Sequence, residues 1–185
     1  IPLGAPVDNL PAEINFVDRF IFSKWKQVGM PPSEVAGDST YLRRVTLDIA
    51  GRLPTVAEAE SFLEDAAPDK RQRLVERLLR SEEHAEYFAN KWSALLRNKR
   101  ANGAQLRTTI AFYDWIKESL YNNKPYDRFV REIVAASGGI DQSPASAWFK
   151  QVSSQQAQME DTAQLFLGTR LQCAQCHHHP YEKWS

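Results

Sequence analysis

The chain has almost no cysteine. Cys173 and Cys176 are its two cysteines, only three positions apart. A pair this close cannot staple distant segments, so a disulfide-built scaffold is excluded and the pair reads as chemistry. An excess of charge of either sign is also missing, because 23 Lys and Arg balance 23 Asp and Glu. Without a global positive field, nucleic acid and anionic membrane surfaces are not expected partners. No apolar run approaches the roughly 20 residues that cross a bilayer, so no transmembrane segment is expected. Alternating Val-rich stretches are scarce, which argues against a sheet. The opening Ile1-Pro2-Leu3-Gly4-Ala5-Pro6 lacks the basic and apolar regions of a signal peptide. The end at Trp184-Ser185, just past the most informative motif, reads as that of a fragment or a processed piece.

What is present is ordinary globular composition, 43% hydrophobic and 25% charged over 185 residues, enough to bury a core. Residues 1–13, with Pro2, Pro6 and Pro11, read as an extended leader, and 14–185 as a single helical domain with joints near 97–107 and 137–147. Phe16, Phe20, Ile21 and Trp25 mark the apolar face of a first helix, stopped by Gly29. A second runs from about Thr40 to Gly51 with Leu42, Val45 and Ile49 inward, and an Arg44–Asp48 ion pair is expected along it. Thr55-Val56-Ala57-Glu58 is a capping box that should open a third. Pro68-Asp69 opens a fourth, burying Leu74, Val75, Leu78 and Leu79, and Ser81-Glu82-Glu83 a fifth bearing Tyr87, Phe88, Trp92 and Leu95. Arg97 to Arg107 reads as a solvated basic loop. Helices resume around Tyr113 and over Tyr126 to Ala136, and a last long helix should span Gln155 to Cys176. The fold class expected is all-α, an irregular multi-helix bundle with its chemical motif at the end of that last helix.

The motif is Cys173-Ala174-Gln175-Cys176-His177, a C-x-x-C-H run, the attachment signature of c-type haem. On a helical turn the two thiols share one side and can reach two vinyl groups along one edge of the porphyrin. His177 then serves as proximal ligand to the iron. Arg170 and Lys183 flank the motif and could meet the haem propionates. For the distal position the candidates are His84 and Met30, or an open site. Met159 lies about 27 Å away along a continuous helix and could not reach. Zinc is the alternative cofactor, with Cys173, Cys176, His177 and His179 as ligands. Three functions follow: an electron-transfer module with one haem c, a haem enzyme or ligand sensor with an open distal site, and a zinc- or thiol-stabilised interaction domain. Electron transfer is favoured over a stand-alone enzyme.

Blocks along the chain resemble the PSCyt type, a domain of unknown function in large planctomycete proteins that also carry cytochrome c modules. They are Val17-Asp18-Arg19-Phe20-Ile21, Arg43 through Gly51 followed by Leu53-Pro54-Thr55, Pro125 through Glu132, and Thr162 through His177 with His179-Pro180. The resemblance implies an extracytoplasmic or periplasmic protein, other cytochrome domains or redox proteins as partners, a link to carbohydrate oxidation, and no established activity. This chain departs from the pattern at Ser93 through Asn98 and at His178, where Asp or Asn is usual.

Overall fold

The computed structural model of the chain describes residues 4, 6–8, 10–99, 106–152, 154–178 and 183. Among these the protein is all-helical, with no strand. The chain divides into two compact units, Ile1–Tyr41 and Leu42–Ser185.

The first unit holds α1, Phe16–Val28. Asn15 caps it by accepting the Val17 N–H at 2.8 Å, while Asp18 accepts the Asn15 N–H at 3.1 Å. It ends where Gly29 turns left-handed at φ 68°, which costs glycine little. The apolar face expected at Phe16, Phe20 and Ile21 is exposed, and Phe22 is the buried residue, stacked on Trp25 at 5.6 Å. So short a unit has too little interior to cover a whole helical stripe. In the leader no helix occurs among the described residues, and Val7 is buried.

Helix α2, Asp38–Ala50, leads into the second unit. Leu42, Thr46 and Ala50 are its buried residues, and Thr46 returns its hydroxyl to the Leu42 carbonyl at 2.8 Å. Arg44 and Asp48 form no ion pair; both are exposed, where hydration competes well with so weak a contact. Gly51 follows at φ 69° with the Tyr87 ring packed against it. Helix α3, Val56–Glu64, starts at the expected capping box: Glu58 N–H meets Thr55 Oγ1 at 3.2 Å and Thr55 N–H meets Glu58 Oε2 at 2.8 Å. Helices α4, Lys70–Leu79, and α5, Glu82–Leu95, follow. Leu79 proves exposed rather than buried, and Leu95 is exposed as well. Each is the last residue of its helix, where the chain turns away, and Leu96 takes the buried place after α5.

Helix α6, Leu106–Tyr121, pairs with α5. Ala85 and Ala89, both fully buried, allow a close approach. Lys117 bridges Glu82 and Glu86 at the rim, at 3.0 and 3.4 Å. Helix α7, Tyr126–Val134, sends Phe129 and Ile133 inward. Phe129 stacks on Trp115 at 5.1 Å and meets the edge of Trp92 at 5.1 Å. The core is centred on Phe112, Ile116, Phe129, Ile133 and Trp148. Ala145, Ser146, Ala147 and Trp148, at a 3-10 turn and the short helix α8, Ala147–Gln151, are buried in or beside it. Among the described residues no helix is long and apolar enough to cross a membrane.

Candidate functional site

Helix α9, Gln155–Phe166, positions the site. Ser154 caps it, accepting the Ala157 N–H at 3.1 Å, and Phe166 rests edge-on against Trp148 at 6.0 Å, which fixes the helix on the core. The helix does not continue to Cys176. Gly168 adopts φ 67°, Leu167 is exposed, and the Leu167 and Thr169 N–H groups both close on the Ala163 carbonyl, at 3.1 and 3.0 Å. A glycine that tolerates the left-handed region ends the helix here, and an exposed Leu167 offers no burial to drive another turn. The cysteine motif therefore sits on a separate 3-10 turn, Gln172–Gln175, correcting the expected helix end. The rise per residue that placed Met159 out of reach no longer applies across this break; the Met159 side chain is exposed.

The turn carries Cys173 and leads directly into Cys176 and His177. Cys173 and Cys176 are exposed and not bonded to each other. The His177 N–H lies 3.4 Å from the Cys173 carbonyl, which closes the turn, and its Nδ1 lies 2.5 Å from the His178 carbonyl. A carbonyl oxygen only accepts, so Nδ1 donates in that contact, and Nε2 makes no hydrogen bond among the described residues. Arg170 and Lys183 are exposed. His179 lies outside the described residues. His84 is engaged on α5: its Nδ1 is 2.9 Å from the Ile49 carbonyl and its ring lies 4.6 Å from Phe88. Met30 is exposed just beyond the Gly29 cap in the first unit.

Sequence reasoning missed the polar side of α9. Glu160 and Asp161 are buried, at 9% and 7% exposure. Asp161 Oδ1 pairs with Arg97 at 2.8 Å, while its Oδ2 is buried with no hydrogen-bond partner among the described residues. Arg97 stands at φ 55° in the turn that ends α5, and its side chain is exposed, as expected of the basic stretch, while pairing with Asp161. Arg107 pairs with Asp141 at 2.6 Å, both side chains being exposed; residues 100–105 lie outside the described set. Glu160 accepts from the Gln175 amide, and Gln164 accepts from Gln172 at 3.0 Å. Adjacent acids in a run flanked by Ala157 and Ala163 were the available signal, and a weak one.

A second feature of α9 faces elsewhere. Thr162, Phe166 and Leu167 line a groove of about 490 Å³ with Tyr126, Val130 and Val134 of α7. At about 100° per residue, Phe166 lies roughly 200° around the axis from Gln164, so groove and cysteine turn occupy different sides of α9.

The cysteine turn can be tested against the two cofactors expected. A tetrahedral ion needs its donors gathered on one point. Among the described residues no three His, Cys, Asp or Glu side chains are so gathered, and the fourth ligand expected for zinc, His179, lies outside them. Haem attachment needs two unbonded sulfurs, presented outward about one turn apart, and one imidazole with a free nitrogen. Cys173 and Cys176 are unbonded and exposed, and His177 follows the second directly, so the donor types that a haem c site would use are present here.

The fold and this turn define a class: an all-helical domain carrying an exposed C-x-x-C-H turn behind its last long helix. The chain belongs to the PSCyt2 family, described as a protein of unknown function (DUF1549), which matches residues 16–185. No curated protein matches the chain. No solved structure matches it either.

Proposed function

We propose that this domain is a c-type cytochrome-like module that binds one haem covalently and transfers electrons outside the cytoplasm, with other cytochrome domains or redox proteins as partners. The observation that carries the reading is the pair of free, exposed thiols on one turn with His177 directly after the second. Cys173 and Cys176 would hold the haem by adding S–H across its vinyl C=C bonds, sulfur to the inner carbon and hydrogen to the outer, so attachment would need no oxidant or reductant. His177 would ligate the iron through Nε2, its ring held by the Nδ1 contact. Bound there, the haem supplies one-electron chemistry, and the helical core behind α9 supplies a fixed base for it. Arg170 and Lys183 are the cations near enough in sequence to meet the propionates.

The test is the full chain expressed with haem-maturation machinery. The expected result is an acid-stable mass gain of one haem, lost in Cys173→Ala/Cys176→Ala. His177→Ala should keep the mass and change the absorption spectrum. Sharp reduced bands unmoved by carbon monoxide support electron transfer, whereas a carbon monoxide shift replaces it with an open-site enzyme or sensor. No mass gain, or one zinc per chain instead, overturns the haem reading.

A further inference from the structure

The turn bearing the cysteines has few bonds of its own. The Ala174 N–H reaches the Leu171 carbonyl at 2.9 Å, and the Cys176 and His177 N–H groups share the Cys173 carbonyl at 3.5 and 3.4 Å. A single exposed 3-10 turn with such long bonds is marginal in water. Yet each cysteine is preceded by a glutamine, and each glutamine is tied to α9. Gln172 donates to Gln164 and Gln175 donates to Glu160. Glu160 and Gln164 are one helical turn apart, so the two ties form a short ladder that runs antiparallel to the helix.

The rungs are unequal. Gln164 and Gln172 are exposed, and water competes for their bond. Glu160 is buried, and besides Gln175 its carboxylate receives the Gln156 amide at a long 3.4 Å. No cation pairs with it among the described residues. Of these two amides Gln175 is the closer, so releasing it leaves the buried carboxylate with only the long Gln156 contact, which opposes the release.

We infer that Glu160 is the positioning residue of the cysteine turn: through Gln175 it holds Cys173, Cys176 and His177 in place before any cofactor arrives. The purpose of that tie rests on the haem reading; the tie itself does not. Hydrogen exchange on the haem-free full chain reads it directly. Gln175→Ala and Glu160→Ala should speed exchange of the Ala174, Cys176 and His177 amides about tenfold. Glu160→Gln keeps an acceptor for Gln175 and should stay within about twofold of the parent. Gln175 is exposed, so its variant gives the answer even if Glu160→Ala disturbs the core. Equal exchange in the parent and Gln175→Ala overturns the inference. The same four proteins, matured with haem, should show attachment reduced in both Ala variants and restored in Glu160→Gln. If exchange responds but the parent takes up no haem, the haem reading falls and the tie stands. If all four load equally, the reading stands and the role of Glu160 falls.

Discussion

Acidification should weaken this protein through one carboxylate more than through its neighbours. Glu58 accepts both guanidinium nitrogens of Arg52, at 2.8 and 2.9 Å, the Thr55 N–H at 2.8 Å, and Arg77 at 3.2 Å. Bonding to Arg52 first, and then to the Thr55 backbone, holds its pKa at about 2 against an ordinary 4.5. Its folded pKa is depressed, so the native state holds fewer protons than the unfolded chain in between. The stabilisation is therefore complete above about pH 4.5 and disappears as pH falls through about 2. At about 1.4 kcal/mol per pH unit the ceiling is roughly 3 kcal/mol. Arg52 is about one-third exposed, and solvent screening brings the expectation to about 1–2 kcal/mol. Urea denaturation of the parent and Glu58→Gln at pH 6 and pH 2.5 measures it. The parent should lose about 1–2 kcal/mol more than the variant across that interval. Equal losses in the two proteins would refute the assignment of acid sensitivity to Glu58.

Three further outcomes follow from packing. Gly51→Ala places a methyl 2.3 Å from Tyr87 Cδ2 on a backbone at φ 69°, and should cost about 2 kcal/mol or more, seen as a Tm drop of roughly 4–8 °C; an unchanged Tm would mean that the ring yields. Trp148 is almost fully buried, with an Nε1 that makes no hydrogen bond among the described residues. Trp148→Phe should therefore cost about 1 kcal/mol and Trp148→Ala about 4 kcal/mol in chemical denaturation, and equal costs would show that the indole N–H is bonded. Arg97→Ala strands the Asp161 carboxylate and should cost about 2 kcal/mol, of which Asp161→Asn in the double variant recovers a part; a cycle with no coupling removes the pair from the account.

Helix starts and several stops were legible because their causes lie within a few residues. The Thr55 and Glu58 box, the Ser81 cap and the glycines at 29 and 51 act over one turn of chain, and each appears where its chemistry places it. The cysteine turn was legible as a motif for the same reason. Its setting was not. Leu165, Phe166, Leu167 and Leu171 give a helical pattern up to Cys173, but pattern alone does not reveal that Leu167 is exposed and that Gly168 ends α9.

The local chain thus decided the all-helical class, the capping of α3 and α5, and the spacing of Cys173, Cys176 and His177. Only the folded arrangement decided that Phe22 is covered while Phe20 is bare, that Arg97 meets Asp161 across 64 positions, and that Gln175 reaches back to Glu160. Caps and turns are governed by hydrogen bonds between near neighbours. Burial and ion pairing depend on which distant surfaces come together and on how much water they expel, and no short stretch of chain carries that information.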